Sequence, residues 1–242
     1  MPTDVDSSAL SRLLDVQADD SSIARLNHRK ETLPEAQRLA ELRERLAELT
    51  ADAEIATKQA QEAAREQDRL EGEIGIIDEK IGKEEQRLYS GAVSNPKELG
   101  ALQSEIAMLK RKRGNLEDSL LEAMVQREQA DSTLASLEAE VETTAREEGE
   151  LAEIVAKING EIDAELATHQ ASRQAAVKEV PADVLSLYDK LRAAKGGVGA
   201  AALRGDTCEG CHTALPASEV ERLRSEDGLQ RCDNCRRILV VV

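Results

Sequence analysis

Phenylalanine and tryptophan are absent from the 242 residues, and tyrosine occurs only twice. Aromatics normally carry much of a globular core, at about 150–250 Å² each. Leucine, isoleucine, valine and alanine must fill whatever core this chain has. Long apolar runs are also missing: no stretch approaches the roughly 18 residues of a membrane span. The acidic start, Met1-Pro2-Thr3-Asp4-Val5-Asp6, lacks the basic-then-apolar pattern of a secretory signal. Together these absences predict a cytoplasmic protein with no membrane partner. No GxxxxGK[ST] phosphate loop occurs. Gly196-Gly197-Val198-Gly199 opens no helix after a strand and reads as a hinge and strand entry.

What is present is charge and aliphatic periodicity. There are 32 basic and 48 acidic residues, a net −16, while 40% of the chain is apolar. Disorder needs low hydrophobicity as well as charge. This mixture is instead the composition of long helices or a coiled coil.

Heptads are the strongest periodic signal. From Leu39, alternate steps of three and four reach Leu88, and thirteen of fifteen positions are apolar, Gln67 and Glu84 excepted. A second seam runs from Leu99 to Ile162, with fifteen of nineteen positions apolar. Spacing of 3.5 residues keeps one stripe facing a partner helix. Between the seams, Gly91 can end a helix in a left-handed conformation, Ser94 or Asn95 can cap the next, and Pro96 suits its first position. The expectation is a mainly α protein: a long antiparallel coiled-coil helical hairpin with its tip near 90–96. Facing residues then sum to about 185. An arm of roughly 80 residues is about 120 Å long. Leu33-Pro34 predicts a kink near 32–34. Residues 6–30 continue the first arm and pair with 155–178, unless Asp19-Asp20-Ser21-Ser22 breaks the helix. The expected domains are a hairpin over 1–180, a connecting helix over 181–195 and a β-rich domain over 196–242.

Charge is uneven along the hairpin. The tip and its flanks carry Lys80, Lys83, Arg87, Lys97, Lys110, Arg111, Lys112 and Arg113 against four glutamates. These cations are either solvated helix faces paired with neighbouring acids or a contact surface for nucleic acid or an acidic protein.

All four cysteines lie near the C-terminus, in Cys208-Glu209-Gly210-Cys211 and Cys232-Asp233-Asn234-Cys235. Two CxxC knuckles about twenty residues apart have the ligand spacing of a zinc ribbon. Four thiolates fill a tetrahedron, so one structural Zn2+ with no catalytic opening is expected. A small domain without aromatics would depend on that ion to fold. β-rich segments flank the knuckles at 197–203 and 237–242, and Ser218 is a candidate cap for a short helix. Arg231, Arg236 and Arg237 crowd the second knuckle. They either offset the thiolate charge or form a small phosphate-binding surface. Tyr188, on the connecting helix, is the candidate for fixing the interdomain angle, with the glycines after it leaving some freedom.

Several motifs together resemble the bacterial C4-type zinc-ribbon coiled-coil family, and its actinobacterial branch in particular. They are Ser94-Asn95-Pro96-Lys97-Glu98-Leu99, Leu187-Tyr188-Asp189-Lys190-Leu191-Arg192 and the two knuckles with Leu215-Pro216 and Arg236-Arg237-Ile238-Leu239. The resemblance implies an elongated hairpin with a C-terminal ribbon and non-enzymatic adaptors or nucleic-acid-binding proteins, some tied to flagellar or secretion regulation. It implies Cys208, Cys211, Cys232 and Cys235 as the zinc ligands. Arg236 departs from the family, where glycine often follows the last ligand; a positive φ there would cost strain. The expected function is a non-enzymatic zinc-binding adaptor with protein partners and no small-molecule substrate, acting as a monomer or weak homodimer. The alternative is a nucleic-acid-binding regulator using the basic tip or the ribbon arginines.

Overall fold

The computed structural model describes residues 7–226 and 228–242. The first residues of the expected first arm, up to Asp6, lie outside the described residues. The elements are α1 (Ser7–Glu31), α2 (Pro34–Tyr89), α3 (Pro96–Val177), α4 (Ala182–Ala194), β1 (Ala200–Arg204), β2 (Thr207–Cys208), β3 (Thr213–Ala214), α5 (Ala217–Ser225), β4 (Gln230–Arg231) and β5 (Ile238–Val241). The chain divides into two compact units. One is Arg38–Leu151; the other joins the chain up to Gln37 with Ala152–Val242.

In the Arg38–Leu151 unit, α2 and α3 run antiparallel as a coiled-coil hairpin. The predicted stripe is the buried one: Leu39, Leu42, Leu49, Ala56, Leu70 and Ile77 on α2, and Leu102, Ile106 and Ala123 on α3. The turn uses the predicted chemistry. Gly91 has φ 76°, and Asn95, not Ser94, caps α3 by accepting the Lys97 amide on Oδ1 at 3.0 Å. Pro96 opens the helix, where its missing N–H costs nothing. Arg43–Glu148, Arg45–Glu140, Lys110–Glu85 and Arg113–Asp78 bridge the arms. The residue numbers of these pairs sum to between 185 and 195, so most sit beyond the symmetric reversal. α3 starts further out than α2 ends.

In the other unit, α1 is continuous through Asp19-Asp20-Ser21-Ser22. Those residues do not break the helix because their neighbours pack it down. Leu10, Leu13 and Val16 are buried with Ala176 and Val180 from the α3 end, Val184, Tyr188 and Leu191 of α4, and Ala200, Ile238 and Val240 of the sheet. Further along, Leu26 packs on Ile162 and Leu166. α1 ends at Glu31 and Pro34 begins α2, as the X-Pro restriction requires.

The sheet order is β3-β2-β1-β5-β4. β1 and β5, distant in sequence, pair in parallel, with Ala200 opposite Ile238 and Leu203 opposite Val241. Side chains alternate across the sheet. Ala200, Ile238 and Val240 face the helices. Ala201, Leu203 and Leu239 join Leu215, Val220, Leu223 and the cysteines in a second cluster. Pro216, rather than Ser218, precedes α5, and no side chain caps it.

Candidate metal centre

Each knuckle is a tight turn whose last residue lies beyond the second cysteine. The His212 amide donates to the Cys208 carbonyl at 2.7 Å, and the Arg236 amide to the Cys232 carbonyl at 2.8 Å. Closing the turns puts both residues in the left-handed region, His212 at φ 57° and Arg236 at φ 66°. Arg236 therefore carries the strain its departure from glycine predicts. Gly210 is required for space: a Cβ there would lie 2.8 Å from Ala201 Cβ and 2.9 Å from Arg237 Cδ.

The knuckles face each other. Cys208 Sγ lies 4.0 Å from Cys235 Sγ, and Cys211 Sγ 3.9 Å from Cys232 Sγ. All four sulfurs fall within 4.8 Å of one another. Four thiolates about 2.3 Å from one tetrahedral zinc sit about 3.8 Å apart, so the donor set fits that ion. Cys208 and Cys232 are fully buried while Cys211 and Cys235 are partly open. Burial pushes the Cys208 thiol up to about 12, against hydrogen bonds from the Gly210 and Cys211 amides. Burial also raises Cys232. At Cys211 burial pushes upward too, but hydrogen bonds from the Thr213 hydroxyl and amide and from Asn234 outweigh it, leaving about 6. A zinc ion, when bound, holds all four as thiolates and ties the two knuckles together.

Two of the three ribbon arginines, Arg231 and Arg237, serve the chain's own backbone. Arg237 donates to the carbonyls of Val198, Gly210 and Lys195, each at 2.9 Å. Arg231 donates to the Arg236 carbonyl at 2.8 Å, and Arg236 pairs with Asp233 at 3.6 Å.

Next to the ribbon lies a polar lock that composition and motifs did not reveal. Gln17 is buried; its Oε1 accepts the Gly199 amide at 2.7 Å and the Ala200 amide at 3.3 Å, and its Nε2 donates to the Gly197 carbonyl at 3.0 Å. Asp20, 3% exposed, accepts Arg173 Nε at 2.7 Å and Tyr188 OH at 2.8 Å, with Arg192 at 3.2 Å. Tyr188 is fully buried. Burial, then the bond to Asp20, raises its phenol well above the ordinary value, so it stays a donor. The glycine segment is consequently pinned. A Cβ on Gly199 would meet the Tyr188 carbonyl at 2.6 Å and its ring at 2.8 Å, which removes the freedom expected there. His169 binds Asp19 at 2.8 Å. One signal for the lock was available: Gln17 and Asp20 continue the Leu10–Leu13–Val16 stripe in helical phase.

The tip cations are divided. Lys83, Arg87, Lys110 and Arg113 pair with Glu79, Glu84, Glu85 and Asp78. Lys80, Lys97, Arg111 and Lys112 are exposed and make no ion pair among the described residues. The zinc cluster and these tip cations lie in different compact units.

An antiparallel helical hairpin and a four-cysteine ribbon together define a coiled-coil zinc-ribbon protein. Residues 16–196 match the model of the CT398-like coiled coil hairpin domain, and residues 207–239 match the C4-type zinc ribbon domain. The chain belongs to the CT398-like coiled coil hairpin family, and its ribbon takes one structural zinc ion. It is 30% identical over 236 residues to the uncharacterized protein Rv2229c of Mycobacterium tuberculosis, covering 94% of this chain and 93% of that one. The uncharacterized protein ML1638 of Mycobacterium leprae is 26% identical over 203 residues, covering 83% and 86%. A solved protein of Mycobacterium smegmatis superposes with a TM-score of 0.81 at 26% identity, over 99% of this chain and 100% of that one. CT398 of Chlamydia trachomatis shares the fold, with a TM-score of 0.65 at 24% identity over 97% and 98%. Among the described residues no helix is long and apolar enough to cross a membrane.

Proposed function

We propose that the protein is a non-enzymatic, cytoplasmic adaptor whose zinc ribbon is a rigid structural module and whose hairpin offers protein-binding surfaces. In this reading Cys208, Cys211, Cys232 and Cys235 ligate the ion. Residues 1–180 form the hairpin, 181–195 the connecting helix and 196–242 the ribbon domain. The observation that carries it is the closed four-sulfur cluster, in which no ligand position is left for substrate. Tyr188 acts as the positioning residue between connecting helix and ribbon, supported by its contacts with Asp20 and Gly199. Exposed Ile55, Ile76 and Met108 support protein contacts on the hairpin.

The nucleic-acid alternative is favoured by Lys80, Lys97, Arg111 and Lys112, which make no ion pair among the described residues, since Arg231 and Arg237 are held by backbone carbonyls and Arg236 pairs with Asp233. Titration of labelled RNA and DNA at several salt concentrations separates the readings. The adaptor predicts no binding at about 50 mM salt, whereas affinity that falls steeply with salt and is lost in Lys97→Glu/Arg111→Glu would replace it with the nucleic-acid reading.

A further inference from the structure

α3 carries large apolar side chains that nothing in its own unit covers. Leu121 is 61% exposed, Val125 54% and Met124 46%. In the heptad set by buried Leu102, Ile106 and Ala123, two rows run along the helix away from that seam. One row holds Lys97, Arg111, Asp118 and Val125; the other holds Ala107, Gly114 and Leu121. A mid-helix glycine costs about 1 kcal/mol relative to alanine, yet among the described residues nothing outside its own turn comes within 4 Å of a Cβ built on Gly114. Charge along this face inverts about the same residue. Lys110 and Arg111 precede Gly114, and Glu117 and Asp118 follow it.

We propose that two copies of the chain pair through this face of α3, antiparallel, about a two-fold axis beside Gly114. A two-fold contact sets each residue against the one equally far on the other side of the axis. Arg111 then meets Glu117 and Asp118 of the second copy, Leu121 meets Ala107, and Lys97 meets Asp131. Gly114 meets its own counterpart, where absence of a side chain lets the helices approach. Every contact off the axis occurs twice. A parallel register would instead set Arg111 on Arg111 and Asp118 on Asp118, so the charge order selects the antiparallel one. Among the described residues Arg111 donates only to the Ala107 carbonyl, at 3.3 Å. Lys110, Glu117 and Asp131 have partners of their own in Glu85, Arg113 and Arg127. Arg111, Asp118 and Lys97 are therefore the charges free to decide the pairing. From Lys97 to Asp131 the shared face is about 50 Å long. Nothing in it depends on the zinc site or on the adaptor reading.

The test is sedimentation velocity on the full, zinc-loaded chain up to about 200 µM, at about 50 and 500 mM salt. The expected result is a concentration-dependent dimer that weakens at high salt. Arg111→Glu and Asp118→Arg each weaken it about tenfold or more, and the double variant recovers to within about threefold of wild type. Leu121→Asp leaves a monomer, with circular dichroism showing intact helix. A wild type that stays monomeric at low salt overturns the proposal. So does a dimer indifferent to either reversal, a double variant no better than the singles, or a monomer that uses Arg111 to hold RNA or another protein.

Discussion

Asp20→Ala is the sharpest probe of how the ribbon is held. The carboxylate is 3% exposed and receives Arg173, Arg192 and the Tyr188 hydroxyl. Removing it leaves a buried phenol without an acceptor, a loss of about 1–3 kcal/mol. Both guanidinium groups also lose their shared anion, although side-chain exposures of 28% and 33% let water recover part of that. Breaking a fully buried pair costs about 3–5 kcal/mol, so a value near the lower end, about 3 kcal/mol, is expected here. For a unit of this size that lowers Tm by about 10–15 °C. Tyr188 itself supplies the readout. Tyr89 is 81% exposed, so Tyr89→Leu leaves Tyr188 as the sole tyrosine in a chain without Phe or Trp, and the near-ultraviolet signal reports this site alone. Asp20→Asn retains an acceptor for Tyr188 and should fall between wild type and Asp20→Ala. In a double-mutant cycle, Tyr188→Phe and Asp20→Ala should couple by about 1 kcal/mol or more. A Tm loss under about 3 °C, or strict additivity, would show that the lock is not what holds α4 and the ribbon to α1.

Tyr188 also predicts an alkaline limit. Its folded value is raised above the unfolded value of about 10. Its stabilisation is therefore fully present below that pH and is lost as pH climbs above it; Tyr188→Phe should flatten the dependence in alkaline melts. Chelating zinc should unfold α5 and the knuckles while sparing α2 and α3. Since α5 has 9 residues against 56 and 82, a large loss of ellipticity at 222 nm would contradict this. Arg236→Gly should stabilise the ribbon by about 1 kcal/mol by relieving a left-handed φ, read as a raised midpoint in denaturant.

The heptads, the tip and the zinc knuckles are local patterns. A stripe repeating every 3.5 residues faces a partner whatever the tertiary context, and Asn95-Pro96 or Cys-x-x-Cys acts within a few bonds. The amino-acid sequence by itself therefore determined the hairpin and the four-cysteine cluster. Asp19-Asp20-Ser21-Ser22, left open as a possible break in a helix expected to continue, and the glycine segment, read as a hinge, could not be decided in the same way. Taken locally, one is a helix breaker and the other a hinge. Asp20 is held by Arg173, Arg192 and Tyr188, and Gly199 by Gln17, across more than 150 positions of chain. Only the tertiary structure could decide those roles, along with the parallel pairing of β1 and β5 and the fate of Arg237. A buried polar group takes its meaning from the partner that satisfies it, and that partner is chosen by packing.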